Sequence, residues 1–119
     1  MLSIHIYPRS LPTMSPKAFV DELIASNKVV VFSKSYCPFC HKAKAALDTQ
    51  NLKPGVLQWL EIEKLKDCQE IQDYLLSITG GRTVPRVFIN QKFFGGGNEA
   101  EAAVKDGKLA ELLKEAGAI

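Results

Sequence analysis

The spacing of apolar residues changes several times along the chain and predicts an alternation of helices and strands. Ser15 and Pro16 precede apolar residues at helical spacing, so we predict a helix whose N-cap is Ser15. The segment KVVVFS at 28–33 is apolar without alternation, which is typical of a strand buried on both faces. A helix that begins near Pro38 and a second strand at 56–62 are predicted to follow.

The second half of the chain predicts a further helix, a hairpin and a helical C-terminus. The segment CQEIQDYLLSITGG at 68–81 has apolar residues at helical spacing and two glycines that stop the helix. RVFINQKFFGGG at 86–97 predicts an antiparallel hairpin, and the remaining residues predict one or two helices, broken near Gly107. With a right-handed parallel crossover, this order of elements predicts an α/β fold: a four-stranded mixed sheet flanked by helices.

Composition limits the domain organisation and the classes of partner. The 119 residues, of which 46% are hydrophobic and 24% charged, are enough for one globular domain. No apolar run approaches the roughly 20 residues that cross a bilayer. The net charge of +2 comes from interspersed charges of both signs. We therefore expect neither nucleic acid nor membranes as partners.

The first residues differ in composition from the rest of the chain. Residues 1–14 contain no acidic residue and two prolines, and they show weak periodicity. We expect them to be a flexible N-terminal extension or a targeting segment, and residues 15–119 to form the domain. The expected location is cytoplasmic, or mitochondrial or in another organelle if residues 1–13 act as a targeting segment.

The motif CPFC places two cysteines at the predicted start of a helix. Cys37 follows the buried strand and precedes Pro38, so the unpaired N–H groups of the helix N-terminus favour its thiolate form. Lys34 adds a positive charge nearby. Cys40 lies one turn further along the same helix face, close enough for a disulfide with Cys37. Because a thiolate is the attacking species in disulfide exchange, this arrangement suits redox chemistry.

Two other uses of the motif are less well supported. A zinc site requires four ligands, and the motif supplies two, with Cys68 and His41 as the remaining plausible donors. A structural disulfide that closes so short a loop would add little stability. A Cys-x-x-Cys motif beside a β-α-β pattern is a redox signature, so we predict a redox-active disulfide between Cys37 and Cys40 and expect no metal.

Three motifs together resemble a dithiol glutaredoxin of the thioredoxin-fold superfamily: CPFC at 37–40, TVPRVFIN at 83–90 and GGG at 95–97. The resemblance extends from about Pro16 to the C-terminus. It implies a glutathione-dependent oxidoreductase in which Cys37 attacks protein–glutathione mixed disulfides, while Cys40 resolves mixed disulfides formed with protein substrates. The implied partners of this expected monomer are glutathione, glutathionylated or disulfide-containing proteins, and glutathione reductase indirectly through glutathione disulfide.

The resemblance also implies where glutathione binds. A cis proline, Pro85, would expose the backbone of Val84 to the cysteinyl part of glutathione. Basic and amide side chains would meet its glycyl carboxylate, and the start of the last helical segment its γ-glutamyl carboxylate. The implied glutathione-binding residues are Lys34, Phe39, Gln72, Arg82, Thr83, Val84, Pro85, Gly96, Gly97 and Asn98.

Two other functions stay open. Some glutaredoxins bridge a [2Fe–2S] cluster between two protomers, but those members more often carry serine or glycine where this chain has Pro38. The second is a thioredoxin-like reductase served by a flavoprotein. Thioredoxins usually have tryptophan before the motif, whereas this chain has Tyr36.

Overall fold

The computed structural model describes residues 14–119, so the predictions for residues 1–13 lie outside the described part of the chain. The helices are α1 (Pro16–Ser26), α2 (Pro38–Asp48), α3 (Cys68–Thr79), α4 (Gly97–Lys105) and α5 (Lys108–Glu115). The strands are β1 (Val29–Ser33), β2 (Leu57–Glu61), β3 (Arg86–Ile89) and β4 (Lys92–Gly95). A 3₁₀ turn, Ile62–Lys64, follows β2 and was not predicted. Within residues 14–119, no helix is long and apolar enough to span a bilayer.

The four strands form one mixed sheet in the order β2-β1-β3-β4. Strand β1 pairs in parallel with β2 and antiparallel with β3, which in turn pairs antiparallel with β4. Asn90 and Gln91 link β3 to β4 with φ values of 54° and 68°. Positive φ at both positions is the hairpin geometry that matches the twist of the strands, and it confirms the predicted hairpin.

Helices cover both faces of the sheet and enclose two apolar clusters. Val29 and Val31 of β1 face the cluster that includes residues of α2, α4 and α5, whereas Val30 and Phe32 face the cluster built with α1 and α3. All five residues of β1 are buried, as its continuous apolar run predicts. Because side chains alternate along a strand, Ser33 lies on the same side of β1 as Val31, the side that α2 covers.

The ends of the first and third helices follow their sequence signals. Ser15 caps α1 by accepting a hydrogen bond at its Oγ from the N–H of Ala18, over 3.1 Å. Helix α3 ends at Gly80, whose φ of 84° is left-handed and favours glycine. The C-terminal segment forms two helices, α4 and α5, with Gly107 between them.

Candidate active site

Helix α2 begins at the CPFC motif. Cys37 is its N-cap residue, and the Cys37 Sγ accepts a hydrogen bond from the backbone N–H of Cys40 over 3.2 Å. Pro38 occupies the first helical position, where its missing N–H removes no helical hydrogen bond. The predicted placement is confirmed: the sulfur of Cys37 lies at a helix N-terminus, which stabilises negative charge on it.

The two thiols of the motif have different environments. Cys37 is partly exposed, whereas Cys40 is fully buried, and both are free thiols. Burial raises the pKa of the Cys40 thiol to about 11; a hydrogen bond with Cys37 raises it too, and hydrogen bonds from Ser33 and the backbone of Lys34 lower it. Cys40 is therefore protonated at neutral pH, and the exposed thiol is the one placed to react first.

The TVP segment runs beside Cys37. The peptide bond between Val84 and Pro85 is cis, as the sequence resemblance implies. The Cys37 Sγ lies 3.5 Å from the carbonyl oxygen of Val84 and donates a hydrogen bond to it. Thr83, just upstream, accepts at its Oγ1 from the guanidinium of Arg86 over 3.3 Å. The structure thus brings the backbone of this segment against the exposed thiol.

The N-terminus of α4 packs directly on the N-terminal turn of α2. A Cβ at Gly97 would overlap the carbonyl oxygen of Phe39, so no side chain fits there without a shift of one helix. The N–H of Gly96 donates to Glu99 Oε1 over 2.8 Å. Asn98 Oδ1 accepts from Lys42 Nζ over 3.0 Å, which ties α4 to α2 beside the CPFC motif.

The remaining predicted glutathione ligands make contacts within the protein. Gln72 is buried, and its Nε2 donates to the carbonyl oxygen of Arg82 over 2.8 Å. The guanidinium of Arg82 donates to Asp73 over 3.0 Å. The carbonyl oxygen of Lys34 accepts from the N–H of Cys37 over 3.1 Å. These residues surround the TVP and CPFC segments, and their contacts with glutathione stay predictions.

Comparisons with known proteins agree with this geometry. The family model described as Glutaredoxin matches residues 29–94. Glutaredoxin-1 of Sus scrofa is 45% identical over 103 residues, which cover 87% of this chain and 97% of that protein. The chain belongs to the glutaredoxin family. Glutaredoxins are thiol–disulfide oxidoreductases, so the chain is an enzyme of that class.

Solved glutaredoxin structures share the fold. Oxidized glutaredoxin 2 from Chlamydomonas reinhardtii has a TM-score of 0.82 and 50% identity, covering 87% of this chain and 95% of that one. A buckwheat glutaredoxin–glutathione complex has a TM-score of 0.80 and 39% identity, covering 87% and 92%. The predicted thioredoxin-like architecture, a four-stranded mixed sheet flanked by helices, is confirmed.

Several polar residues at the site were not identified from the sequence. Ser33 Oγ donates to Glu61 Oε1 over 3.2 Å, from β1 to β2. The Glu63 carboxylate binds the hydroxyl and N–H of Ser35, and the bond to the Ser35 hydroxyl lowers the pKa of Glu63. The partners in each pair are 28 residues apart in sequence, so only the alignment of β1 with β2, and of the segments that follow them, could reveal these contacts. Lys42 could have been found, since it is a basic residue one turn after Pro38.

Proposed function

We propose that this glutaredoxin reduces protein–glutathione mixed disulfides and protein disulfides, with glutathione as its co-substrate. The observation that carries the proposal is the pairing of unlike thiols: a partly exposed Cys37 that receives a helix N–H, above a buried and protonated Cys40. A thiol in this position is suited both to attack a disulfide and to be the leaving group when its own mixed disulfide is reduced. The same helix N–H stabilises the thiolate in both steps.

The proposed reaction with a glutathionylated protein needs Cys37 alone. The Cys37 thiolate attacks the glutathione sulfur, the bond between Cys37 and glutathione forms, and the protein sulfur leaves as a thiolate that takes a proton from water. A second glutathione thiolate then attacks the glutathione sulfur held on Cys37. This step releases glutathione disulfide and regenerates the Cys37 thiolate.

A protein disulfide requires both cysteines. Cys37 attacks one sulfur of the substrate and forms a mixed disulfide with it. Cys40 then attacks the Cys37 sulfur, so that a Cys37–Cys40 disulfide forms and the second substrate sulfur leaves. Two glutathione molecules reduce this disulfide and leave as glutathione disulfide, which glutathione reductase can recycle.

Three features support glutathione as the co-substrate. Glutathione is an extended peptide, and the Val84 backbone beside Cys37 suits pairing with such a peptide. The first turn of α4 offers N–H groups to a carboxylate. A similar protein, the buckwheat glutaredoxin, has been solved as a complex with glutathione.

A coupled assay tests this proposal. The protein is supplied with glutathione, glutathione reductase, NADPH and a glutathionylated peptide, and the consumption of NADPH is followed. We expect turnover by the wild-type protein and none by Cys37→Ser, because an alcohol at neutral pH is a far weaker nucleophile than a thiolate. Absence of turnover by the wild-type protein would contradict the proposal.

The setting proposed for this activity is a monomer in the cytoplasm, where glutathione keeps thiols reduced. Size-exclusion chromatography tests whether the protein is a monomer, and fluorescence microscopy of the tagged full chain tests whether it is in the cytoplasm. The alternative, a dimer that carries a [2Fe–2S] cluster, predicts a brown protein with visible absorption bands after anaerobic purification. A colourless monomer that turns over glutathionylated peptide would argue against it.

A further inference from the structure

Lys42 lies where the first turns of α2 and α4 meet, and its ammonium group contacts both helices. Its Nζ donates to Asn98 Oδ1 over 3.0 Å and lies 3.7 Å from Glu101 Oε1, both on α4. On α2 itself, the same Nζ lies above the ring of Phe39, 5.2 Å from the ring centroid. Phe39 and Asn98 are both predicted to bind glutathione, so Lys42 contacts two of the predicted ligands although it was not predicted as one.

The first turn of α4 lies beside the reactive cysteine. A Cβ at Gly97 would overlap the carbonyl oxygen of Phe39, two residues after Cys37, and a Cβ at Gly96 would lie 3.4 Å from the carbonyl oxygen of Pro85. The turn is therefore situated between the CPFC motif and the TVP segment. The first N–H groups of a helix have no acceptor within the helix and attract anions. A peptide joined to Cys37 can thus place a carboxylate at this turn.

Glutathione has a carboxylate at each end, and the two are expected at different places. The glycyl carboxylate is expected near basic and amide side chains that include Lys34 and Gln72, and the γ-glutamyl carboxylate at the first turn of α4. In that turn, the acidic side chain of Glu99 accepts from the N–H of Gly96 over 2.8 Å. Lys42 is the cation that is hydrogen-bonded to the turn. The γ-glutamyl carboxylate is therefore expected beside a positive side chain.

We propose that Lys42 binds the α-carboxylate of the γ-glutamyl residue, together with the N–H groups of α4. This inference rests on the proposed use of glutathione and adds one residue to its site. A lysine ammonium group has three donors, of which one is directed to Asn98 and another meets the carboxylate. The contacts with Asn98 and Phe39 hold the ammonium group at the turn before glutathione arrives, so little side-chain freedom is lost on binding. The second lone pair of Asn98 Oδ1 accepts from the ammonium group of the same γ-glutamyl residue.

Glu101 does not prevent this contact. Its ion pair with Lys42 is 3.7 Å long, and the side chains of Lys42 and Glu101 are 42% and 52% exposed. Such a surface pair adds little stability, so a ligand carboxylate can replace Glu101 as the partner of Lys42. A Lys42 that only joined α2 to α4 would affect every substrate of Cys37 alike. A Lys42 that binds the carboxylate affects only substrates that carry this carboxylate.

A set of matched disulfides separates these two roles. Reduced protein, in excess, is mixed with a peptide whose cysteine is joined to glutathione, to 4-aminobutyryl-cysteinyl-glycine or to γ-glutamyl-cysteinyl-glycinamide. The second molecule lacks the γ-glutamyl carboxylate, and the third has a neutral glycyl end. No free glutathione is present; samples are quenched with acid, and the released peptide is measured by chromatography. The variants are Lys42→Gln and Lys42→Arg, with Lys44→Gln as the matched control, because Lys44 is a basic residue of α2 that pairs with Asp48 over 3.2 Å.

We expect Lys42→Gln to slow peptide release about three- to fivefold with glutathione and with the glycinamide, which is the size of an exposed charge contact. With the 4-aminobutyryl compound, Lys42→Gln should stay within about 1.5-fold of the wild-type rate, because the partner of Lys42 is missing. Lys42→Arg, which keeps the positive charge, should retain at least about half of the wild-type rate with glutathione. Lys44→Gln should match the wild-type protein within about 1.5-fold with all three molecules.

Three results would overturn the proposal. Equal slowing of Lys42→Gln with glutathione and with the 4-aminobutyryl compound would mean that Lys42 only joins the helices. Unchanged rates in Lys42→Gln would mean that Lys42 does not contact the ligand. A slowing with glutathione that vanished with the glycinamide would assign Lys42 to the glycyl carboxylate. If the wild-type protein released no peptide from its disulfide with glutathione, the proposed function itself would fail, whereas each of the three results requires an active wild-type protein.

Discussion

The two cysteines of the CPFC motif have different chemical roles because of where they lie on α2. Cys37 lies at the end of the helix, and Cys40, one turn further along, lies in the core. Cys37 is the N-cap residue and is partly exposed, whereas Cys40 lies on the inward face of α2 and is fully buried. Dipole and N–H groups act at the first position, and desolvation acts at the second. The order of reaction between the two thiols follows from this difference.

The first prediction separates the two activities at the residue scale. Cys40→Ser should keep turnover with glutathionylated peptide and lose at least about 90% of its activity toward a protein disulfide, because only the latter needs a second thiol. Both rates are measured with the same coupling enzymes. Loss of both activities in Cys40→Ser, with an unchanged circular dichroism spectrum, would contradict the single-thiol route through Cys37.

The second prediction concerns stability at alkaline pH. The pKa of the Cys40 thiol is raised to about 11 in the folded protein, chiefly by burial, against about 8.5 for an unfolded thiol. The folded state therefore holds this proton more tightly, so its stabilising effect is fully present below about pH 8.5 and is lost as pH rises toward 11. Urea unfolding of Cys37→Ser and of Cys37→Ser/Cys40→Ala, both reduced, measures the difference.

The free-energy gap between these two proteins should be constant from about pH 6 to 8 and should fall above about pH 9. Groups that do not interact with Cys40 cancel in the difference, and Cys37, which does interact with it, is replaced by serine in both proteins. A gap that stayed constant up to pH 11, or that widened, would show that Cys40 does not titrate as its burial implies.

At the scale of elements, the site is formed where the first turns of two helices meet. The N-terminus of α4 packs against Phe39 of α2 at Gly97, and the Asn98–Lys42 and Glu101–Lys42 contacts join the same helices. The CPFC motif is therefore positioned partly by α4, an element about 60 residues further along the chain. A change in the contact between these helices should alter the site without touching a cysteine.

Gly97→Ala tests this contact. The added Cβ would overlap the carbonyl oxygen of Phe39, so α4 must shift away from α2. We expect a loss of about 1–3 kcal/mol in the free energy of unfolding and a higher KM for glutathione, because the first turn of α4 moves. Ala102→Ser, which adds one atom on the exposed side of α4, should change neither. Wild-type stability and KM in Gly97→Ala would show that the helices can separate without cost.

Local sequence patterns predicted most helices and strands. The contacts that depend on strand register or on helix packing were not predicted. The buried strand at 28–33 and the Pro38 helix start depend on neighbouring residues, and both were predicted correctly. The Ser33–Glu61 hydrogen bond was not predicted, because shifting β2 by one residue would turn Glu61 to the opposite face. The burial of Gln72, and its hydrogen bond to Arg82, likewise depend on how α3 packs, which periodicity alone does not reveal.

At the scale of the whole molecule, β1 is the rigid support of the site. It pairs with β2 on one side and β3 on the other, and helices cover both of its faces. Its last residue, Ser33, is buried, and the loop that follows leads to Cys37. The reactive end of the molecule is thus attached to its most buried strand.

Hydrogen exchange measures this rigidity. Amides of Val29–Phe32 should open only when the whole domain unfolds, because the strand is hydrogen-bonded on both sides and its residues are at most 1% exposed. The amide of Gln91, in the exposed hairpin turn, should exchange at least about 100-fold faster once intrinsic rates are divided out. Exchange is measured by mass spectrometry of peptic peptides at two pH values. Exchange rates that rise in proportion to the hydroxide concentration show that exchange reports the equilibrium of opening. If the β1 peptide exchanged as fast as the hairpin peptide, the strand would open locally, and β1 would not be the rigid support of the site.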